Sequence, residues 1–87
     1  MEIIKIGALW CPACLITNNA LDKINKNYNI SIKNLDYDFD EEEVSKYNVG
    51  ETLPVLVIIK DGNEVDRLIG EKNYKEIEEV IKKYEED

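Results

Sequence analysis

The chain has 87 residues, which suits one domain, because domains usually contain about 100–200 residues. It carries 11 basic and 19 acidic side chains, and this net charge of -8 argues against a surface for nucleic acid or an anionic membrane. The absence of histidine excludes a Ser-His or Cys-His catalytic pair and an imidazole metal ligand.

The first elements alternate between strand and helix. Residues 2–6 are β-branched and mostly apolar, which predicts a buried strand, and residues 7–10 predict a loop. Helical spacing over residues 12–27 predicts a helix. Its apolar stripe comprises Leu15, Ile16, Ala20, Leu21, Ile24 and Tyr28.

A second strand and a short helix follow. Residues 30–37 have a strand pattern. Asp40 and Glu43 have the spacing of a capping box, which predicts a short helix that turns Val44 and Tyr47 inward.

The clearest strand covers residues 53–59, with Pro54 at its start, where a strand tolerates proline. Residues 60–63 predict a hairpin turn, and residues 64–69 predict the returning strand, which Gly70 ends.

Asn73 and Glu76 predict the capped start of a last helix. Its expected buried stripe comprises Tyr74, Ile77, Val80, Ile81 and Tyr84. The predicted order is therefore β-α-β-α-β-β-α, an α/β fold in a single domain over residues 1–87.

We also expect no membrane span. The longest unbroken apolar run, residues 55–59, is far below the roughly 20 residues that a spanning helix needs. Glu2 stands where a secretory signal would be basic, so we expect a cytoplasmic protein, in a compartment where structural disulfides are rare.

Cys11 and Cys14 form a C-x-x-C motif between a predicted strand and helix, a setting typical of a redox pair. With an exposed Cys11 at the N-cap and Pro12 in the first turn, the free N–H groups of Ala13 and Cys14 stabilise the Cys11 thiolate. Cys14 lies about one turn further along, so its sulfur reaches Cys11, and we expect it to be more buried and less acidic. These features predict Cys11 as the nucleophile and Cys14 as the resolving thiol.

Two other interpretations of the cysteines stay open. Structural zinc often uses C-x-x-C pairs, but it needs four ligands, so only a dimer with two pairs would bridge a metal. The other interpretation is that both cysteines are ordinary core residues without a chemical role. We expect no metal and no cofactor beyond a redox-active Cys11–Cys14 disulfide.

Four motifs along the chain resemble the thioredoxin superfamily, and the resemblance covers essentially the whole sequence. They are Trp-Cys-Pro-Ala-Cys at 10–14, Leu-Asp-Tyr-Asp at 35–38, Thr-Leu-Pro at 52–54, and Lys-Asp-Gly-Asn-Glu-Val at 60–65 leading to Gly70. The resemblance implies a thioredoxin-like fold of glutaredoxin size, with a central four-stranded mixed sheet flanked by three helices. It implies a thiol-disulfide oxidoreductase that reduces protein disulfides.

The resemblance also implies a substrate site and partners. The Leu53–Pro54 peptide bond is expected to be cis and to face the cysteines, where nearby backbone pairs with an extended substrate. The expected substrate-binding residues are Trp10, Pro12, Ala13, Leu53, Pro54 and Gly70. The expected partners are protein disulfides and a flavin-dependent electron donor of the thioredoxin-reductase type, and we expect a monomer.

The chain departs from the family pattern in ways that keep an alternative open. It lacks the first strand and helix of full-length thioredoxins and has the length of a glutaredoxin, so a glutathione-dependent glutaredoxin is the alternative function. Ala13 replaces the tyrosine common in glutaredoxins, residues 69–72 match their glutathione-binding turn only loosely, and Lys72 offers one local contact to glutathione.

Lys5 occupies the position where thioredoxins usually keep a buried aspartate for proton transfer at the second cysteine. Burying a lysine is costly, so we expect Lys5 at a sheet edge or extended toward water. Proton transfer from Cys14 would then use water or a group that the sequence does not identify.

Overall fold

The two most apolar strand segments of the sequence form the centre of one sheet. The computed structural model describes residues 1–85, and its seven elements follow the predicted order. They are β1 (Glu2–Gly7), α1 (Pro12–Asn27), β2 (Ser31–Asp36), α2 (Glu41–Ser45), β3 (Val55–Lys60), β4 (Asn63–Ile69) and α3 (Tyr74–Glu85). Residues 86 and 87 of the predicted domain lie outside the described residues.

The sheet order is β2-β1-β3-β4, with β1 parallel to β2 and antiparallel to β3, and β3 antiparallel to β4. In this register Gly7 lies opposite Asp36, and Val55 lies opposite both Ile6 and Ile69. The ends of β1, β2 and β4 and the start of β3 therefore lie side by side. They form one edge of the sheet that is made of strand termini and not of an outer strand. The chain enters α1 from this edge.

Alternating side chains of the strands build a hydrophobic core on each face of the sheet. Ile3 belongs to the core beneath α1 and α3, whereas Ile4 and Ile6 belong to the opposite core with Val44 of α2. The first core contains Ile3, Ala20, Leu21, Ile24, Ile30, Leu56, Ile58, Ile77 and Ile81. The second contains Ile4, Ile6, Cys11, Cys14, Leu35, Val44, Leu53, Val55 and Val57. The redox pair is thus part of a core.

The buried side of α1 differs from the predicted stripe at its first turns. Leu15 and Ile16 are exposed, whereas Cys14 and Thr17 are buried with Ala20, Leu21 and Ile24. The helix begins directly at the redox pair, so the turn that packs on the sheet is the one that carries Cys14.

The expected position of Lys5 at a sheet edge is wrong. Lys5 lies in β1, which pairs with β2 on one side and β3 on the other, and only 9% of the residue is exposed. Its Nζ atom donates a hydrogen bond to Oδ1 of Asn18 in α1. A polar contact inside the fold therefore holds the ammonium group that was expected to reach water.

The two predicted capping signals have different outcomes. In α3, Oδ1 of Asn73 accepts a hydrogen bond from the Glu76 amide at 2.9 Å, which confirms this cap. In α2, Asp40 makes no side-chain capping bond, because its Oδ2 accepts from the Asp36 amide at 2.7 Å instead. The short helix forms as predicted, but Asp40 stabilises the loop before it.

We expect Asn73→Ala to lower the free energy of unfolding by about 1 kcal/mol, because the Glu76 amide loses its capping acceptor. Urea denaturation measures the change. The matched control is Asn19→Ala on the exposed side of α1, where alanine is the better helix former and stability should hold or rise slightly. Equal effects of the two substitutions would contradict a capping role for Asn73.

Candidate active site

Cys11 is the N-cap of α1, and its sulfur accepts a hydrogen bond from the backbone. Its extended backbone, with φ -101° and ψ 106°, lets Sγ turn back to the Cys14 amide, which donates to it at 3.3 Å. Pro12 occupies the first helical position, which needs no N–H donor. The Cys11 sulfur therefore lies at the positive end of the α1 dipole with a backbone N–H donor directed at it.

Cys11 is less exposed than its N-cap position suggested. Only 6% of Cys11 is exposed, against 2% of Cys14. The Cys11 Sγ atom also donates a long hydrogen bond of 3.8 Å to the Leu53 carbonyl, in the segment that precedes β3. This segment packs against the start of α1 and leaves only a small part of Cys11 accessible to solvent. The expectation of an exposed Cys11 is therefore wrong.

The Cys14 thiol has a pKa above the ordinary value for cysteine. Burial is the largest cause of a rise in the pKa of the Cys14 thiol from 9.0 to about 11, and a hydrogen bond with Cys11 and the charge on Cys11 contribute to the same rise. A backbone hydrogen bond at Ala8 and the positive charge of Lys5 act in the opposite direction on this pKa. At neutral pH Cys14 is therefore a thiol, and it must lose its proton before it attacks a disulfide.

The Leu53–Pro54 peptide bond is cis and lies against Cys11, as the resemblance implied. The Gly70 amide donates to the Pro54 carbonyl at 2.8 Å, which ties the start of β3 to the end of β4. Gly70 has φ 92°, a left-handed value that glycine adopts without strain. The structure therefore brings Leu53, Pro54 and Gly70 to the edge of the sheet where Cys11 lies.

Trp10 is anchored beside the redox pair and still presents its ring to solvent. Its Nε1 donates to Oδ2 of Asp38 at 2.6 Å, and 61% of the residue is exposed. Asp36 shapes this loop, because its Oδ1 accepts from the Asp38 and Phe39 amides at 2.8 and 3.0 Å. Pro12 beside Trp10 is exposed, and Ala13 is half-buried.

Sequence reasoning assigned no role to Asp38 or Gly7. Asp38 lies two residues after the end of β2, and strand ends of a parallel pair meet at one edge, so its position was the available signal. Gly7 ends β1 beneath Cys14, and a Cβ atom on Gly7 would lie 3.2 Å from Cys14 Sγ. A glycine just before a redox motif therefore indicates close packing of the helix on the strand.

Among residues 1–85 there is no cluster of three or more cysteine or carboxylate side chains that could hold a metal ion. No helix in the same range is long and apolar enough to cross a membrane.

Comparison with known proteins assigns the family. The family model described as thioredoxin matches residues 1–83. The chain belongs to the thioredoxin family. It is a thiol-disulfide oxidoreductase with a C-x-x-C pair at Cys11 and Cys14, and the family's activity is protein disulfide reduction. Membership implies protein disulfides as the general class of substrate.

Individual relatives agree with this assignment along nearly the whole chain. A thioredoxin of Staphylococcus aureus is 28% identical over 86 residues, which cover 97% of this chain and 82% of that protein. The X-ray structure of Fasciola hepatica thioredoxin is 31% identical with a TM-score of 0.86, covering 95% of this chain and 79% of that one. Thioredoxin 1 of Thermosipho africanus, 23% identical, shares the fold with a TM-score of 0.88 over 99% and 96% of the two chains.

We expect Asp38→Ala to weaken protein disulfide reduction severalfold, mainly through a higher KM, because Trp10 loses the acceptor that orients its ring. Insulin reduction measures the rate, and tryptophan fluorescence reports the environment of the single Trp10. Glu79→Ala, which removes an exposed acid from α3, should leave both unchanged. An unaltered KM together with altered fluorescence would show that the ring orientation does not matter for substrates.

In the Cys11→Ser variant, iodoacetamide can alkylate only Cys14. We expect the rate of this alkylation to keep rising with pH in the range where the rate for an ordinary cysteine has already levelled off. Burial is the largest cause of the raised Cys14 pKa and persists in this variant, so the thiolate fraction keeps increasing above pH 9.0. Mass spectrometry of the labelled protein gives the rates, with the urea-unfolded variant as control. A plateau at the same pH in both states would contradict the raised pKa.

Proposed function

We propose that Cys11 is the nucleophile of a protein disulfide reductase and that Cys14 is its resolving thiol. The observation that carries this assignment is the 3.3 Å hydrogen bond from the Cys14 amide to Cys11 Sγ at the start of α1. A backbone donor at a helix N-terminus stabilises a thiolate, the form that attacks disulfides. The raised pKa of Cys14 supports the complementary role, since its thiol stays protonated while Cys11 attacks.

The reaction then has two exchange steps. The Cys11 thiolate attacks one sulfur of the substrate disulfide, so that a mixed disulfide forms and the other substrate sulfur leaves as a thiolate and takes a proton. Cys14 loses its proton and attacks Cys11 Sγ, which forms the Cys11–Cys14 disulfide and releases the second substrate thiol. Two electrons have passed from the protein to the substrate, and a donor must return them.

Substrate binding is proposed for Trp10, Pro12, Ala13, Leu53, Pro54 and Gly70. Support comes from the exposed ring of Trp10 and the exposed Pro12 beside it, next to a thiol with little exposed surface of its own. Exposed apolar groups around a reactive atom suit a transient protein interface. The backbone at cis-Pro54, adjacent to Cys11, would pair with an extended segment of substrate.

The electron donor proposed for this reaction is a flavin-dependent reductase of the thioredoxin-reductase type. We place the reaction in the cytoplasm and attribute it to a monomer acting as one domain over residues 1–87, without nucleic acid or membrane as partner. The net charge of -8 supports the last point, because it repels polyanionic surfaces.

Glutathione is a less suitable partner for this site. Lys72, the local cation expected to contact it, lies 3.9 Å from Glu76 as an ion pair, and its backbone amide donates to Thr17. An anionic tripeptide would therefore meet a neutralised cation on an acidic protein. This arrangement supports the reductase over the glutaredoxin alternative.

We expect Cys11→Ser to abolish insulin reduction, because no nucleophile remains, and Cys14→Ser to accumulate a mixed disulfide at Cys11 with insulin. Turbidity of the released insulin chain measures the first effect, and non-reducing electrophoresis detects the second. A wild-type rate no higher than that of free dithiothreitol, or full activity of Cys11→Ser, would refute the assignment. Rapid reduction of the oxidised protein by glutathione alone would favour the glutaredoxin alternative instead.

A further inference from the structure

Lys5 places a positive charge inside a part of the sheet that is otherwise apolar. Its strand neighbours Ile4 and Ile6 are buried, and among residues 1–85 it is the one charged side chain that is buried. Burying an ammonium group costs free energy unless a partner compensates the charge. Asn18 accepts a hydrogen bond from Nζ but is neutral, and no ion pair of Lys5 is found within these residues.

The side chain of Lys5 approaches the sulfur of Cys14. A Cβ atom placed on Gly7 would lie 3.4 Å from Cε of Lys5 and 3.2 Å from Sγ of Cys14, so both atoms border the space that this glycine leaves open. Lys5, Gly7, Cys14 and Asn18 also line a single cleft of about 230 Å³. The ammonium group and the resolving thiol therefore share one cleft between β1 and α1.

Within residues 1–85, four charged or titratable groups lie around the Cys14 sulfur, and they differ in the sign of their charge and in their hydrogen bonds. Cys11 is its redox partner, and its charge opposes a second thiolate. Asp36 and Asp40 line the same cleft, but each has a carboxylate oxygen that accepts a backbone N–H. Lys5 is the cation among these groups, and its charge lowers the pKa of Cys14 against the effect of burial.

We propose that Lys5 is a positioning residue for the resolving step, in which its buried ammonium group, held by Asn18, stabilises the Cys14 thiolate. This role rests on the proposed function of Cys14 as the resolving thiol. It explains why a lysine occupies a central strand despite the cost of burial. It also gives Gly7 a role, since a Cβ atom at this position would lie close to both Cys14 Sγ and Lys5 Cε and would occupy the space that these two atoms border.

Lys5 neither donates nor accepts a proton in this step. The Cys14 proton passes to solvent through the cleft, and the resulting thiolate attacks Cys11 Sγ of the mixed disulfide. The bond between Cys14 and Cys11 forms, the bond between Cys11 and the substrate sulfur breaks, and the departing sulfur takes a proton from solvent. No oxidant or reductant besides the mixed disulfide takes part.

Stopped-flow reaction of the reduced full chain with dithiodipyridine tests the proposal, because each exchange step releases one chromophoric thiopyridone. Lys5→Gln removes the charge and keeps an amide donor for Asn18. We expect the first phase, attack by Cys11, to change little, and the pH profile of the second phase to move to higher pH. For each unit of that shift, the second phase at fixed neutral pH should slow about three- to fourfold, because a tenfold loss of thiolate is partly offset by greater nucleophilicity.

Lys5→Arg keeps a positive charge at this position, so its second-phase pH profile should lie close to that of wild type. If Lys5 had only a structural role, the profiles of the variants would not depend on the charge at position 5. Lys23→Gln removes a charge from the exposed side of α1 and should leave both phases unchanged. Lys5→Met is a second neutral variant if Lys5→Gln does not fold, and thermal unfolding checks each protein. Superimposable second-phase profiles in wild type and a folded neutral variant would overturn the proposal. A missing second phase in wild type would instead refute the resolving role of Cys14.

Discussion

The parallel pairing of β1 with β2 is the constraint on which the active site depends. Parallel strands end at the same edge of a sheet, so the segment that leads to Cys11 and the acidic loop after β2 begin side by side. The antiparallel β3 starts at this edge, which brings cis-Pro54 against Cys11. Segments distant in sequence thereby surround one helix N-terminus.

Backbone amides supply much of the electrostatics at this edge, which suits a chain without histidine. The Cys14 amide donates to Cys11 Sγ. The Asp38 amide donates to the Asp36 carboxylate, and the Asp36 amide donates to the Asp40 carboxylate. Because donors fixed in a backbone need no reorganisation, they stabilise a thiolate and a loop geometry at little entropic cost. The side chain of Asp38 is then free to hold the Trp10 ring.

Local sequence patterns predicted the helices, strands and turns well, because these elements are stabilised mainly by contacts between residues that are close in sequence. The apolar runs of β1 and β3, the hairpin at 60–63 and the cap at Asn73 depend on contacts within one element or one turn. Predictions failed where a distant element competes for the same atom or surface. Asp40 gives its carboxylate to the Asp36 amide, and the segment containing Leu53 covers Cys11.

The sequence by itself determined the redox pair, since a C-x-x-C motif between a strand and a helix places one cysteine at the helix start and the other about one turn later. It also determined the element order, because strand and helix periods are properties of the chain alone. Only the tertiary structure decided the environment of Cys14, which is set by Gly7 and Lys5 of β1 and by burial in a core. The physical reason is that burial and electrostatic interactions depend on distance in space, and pairing of separate strands sets those distances.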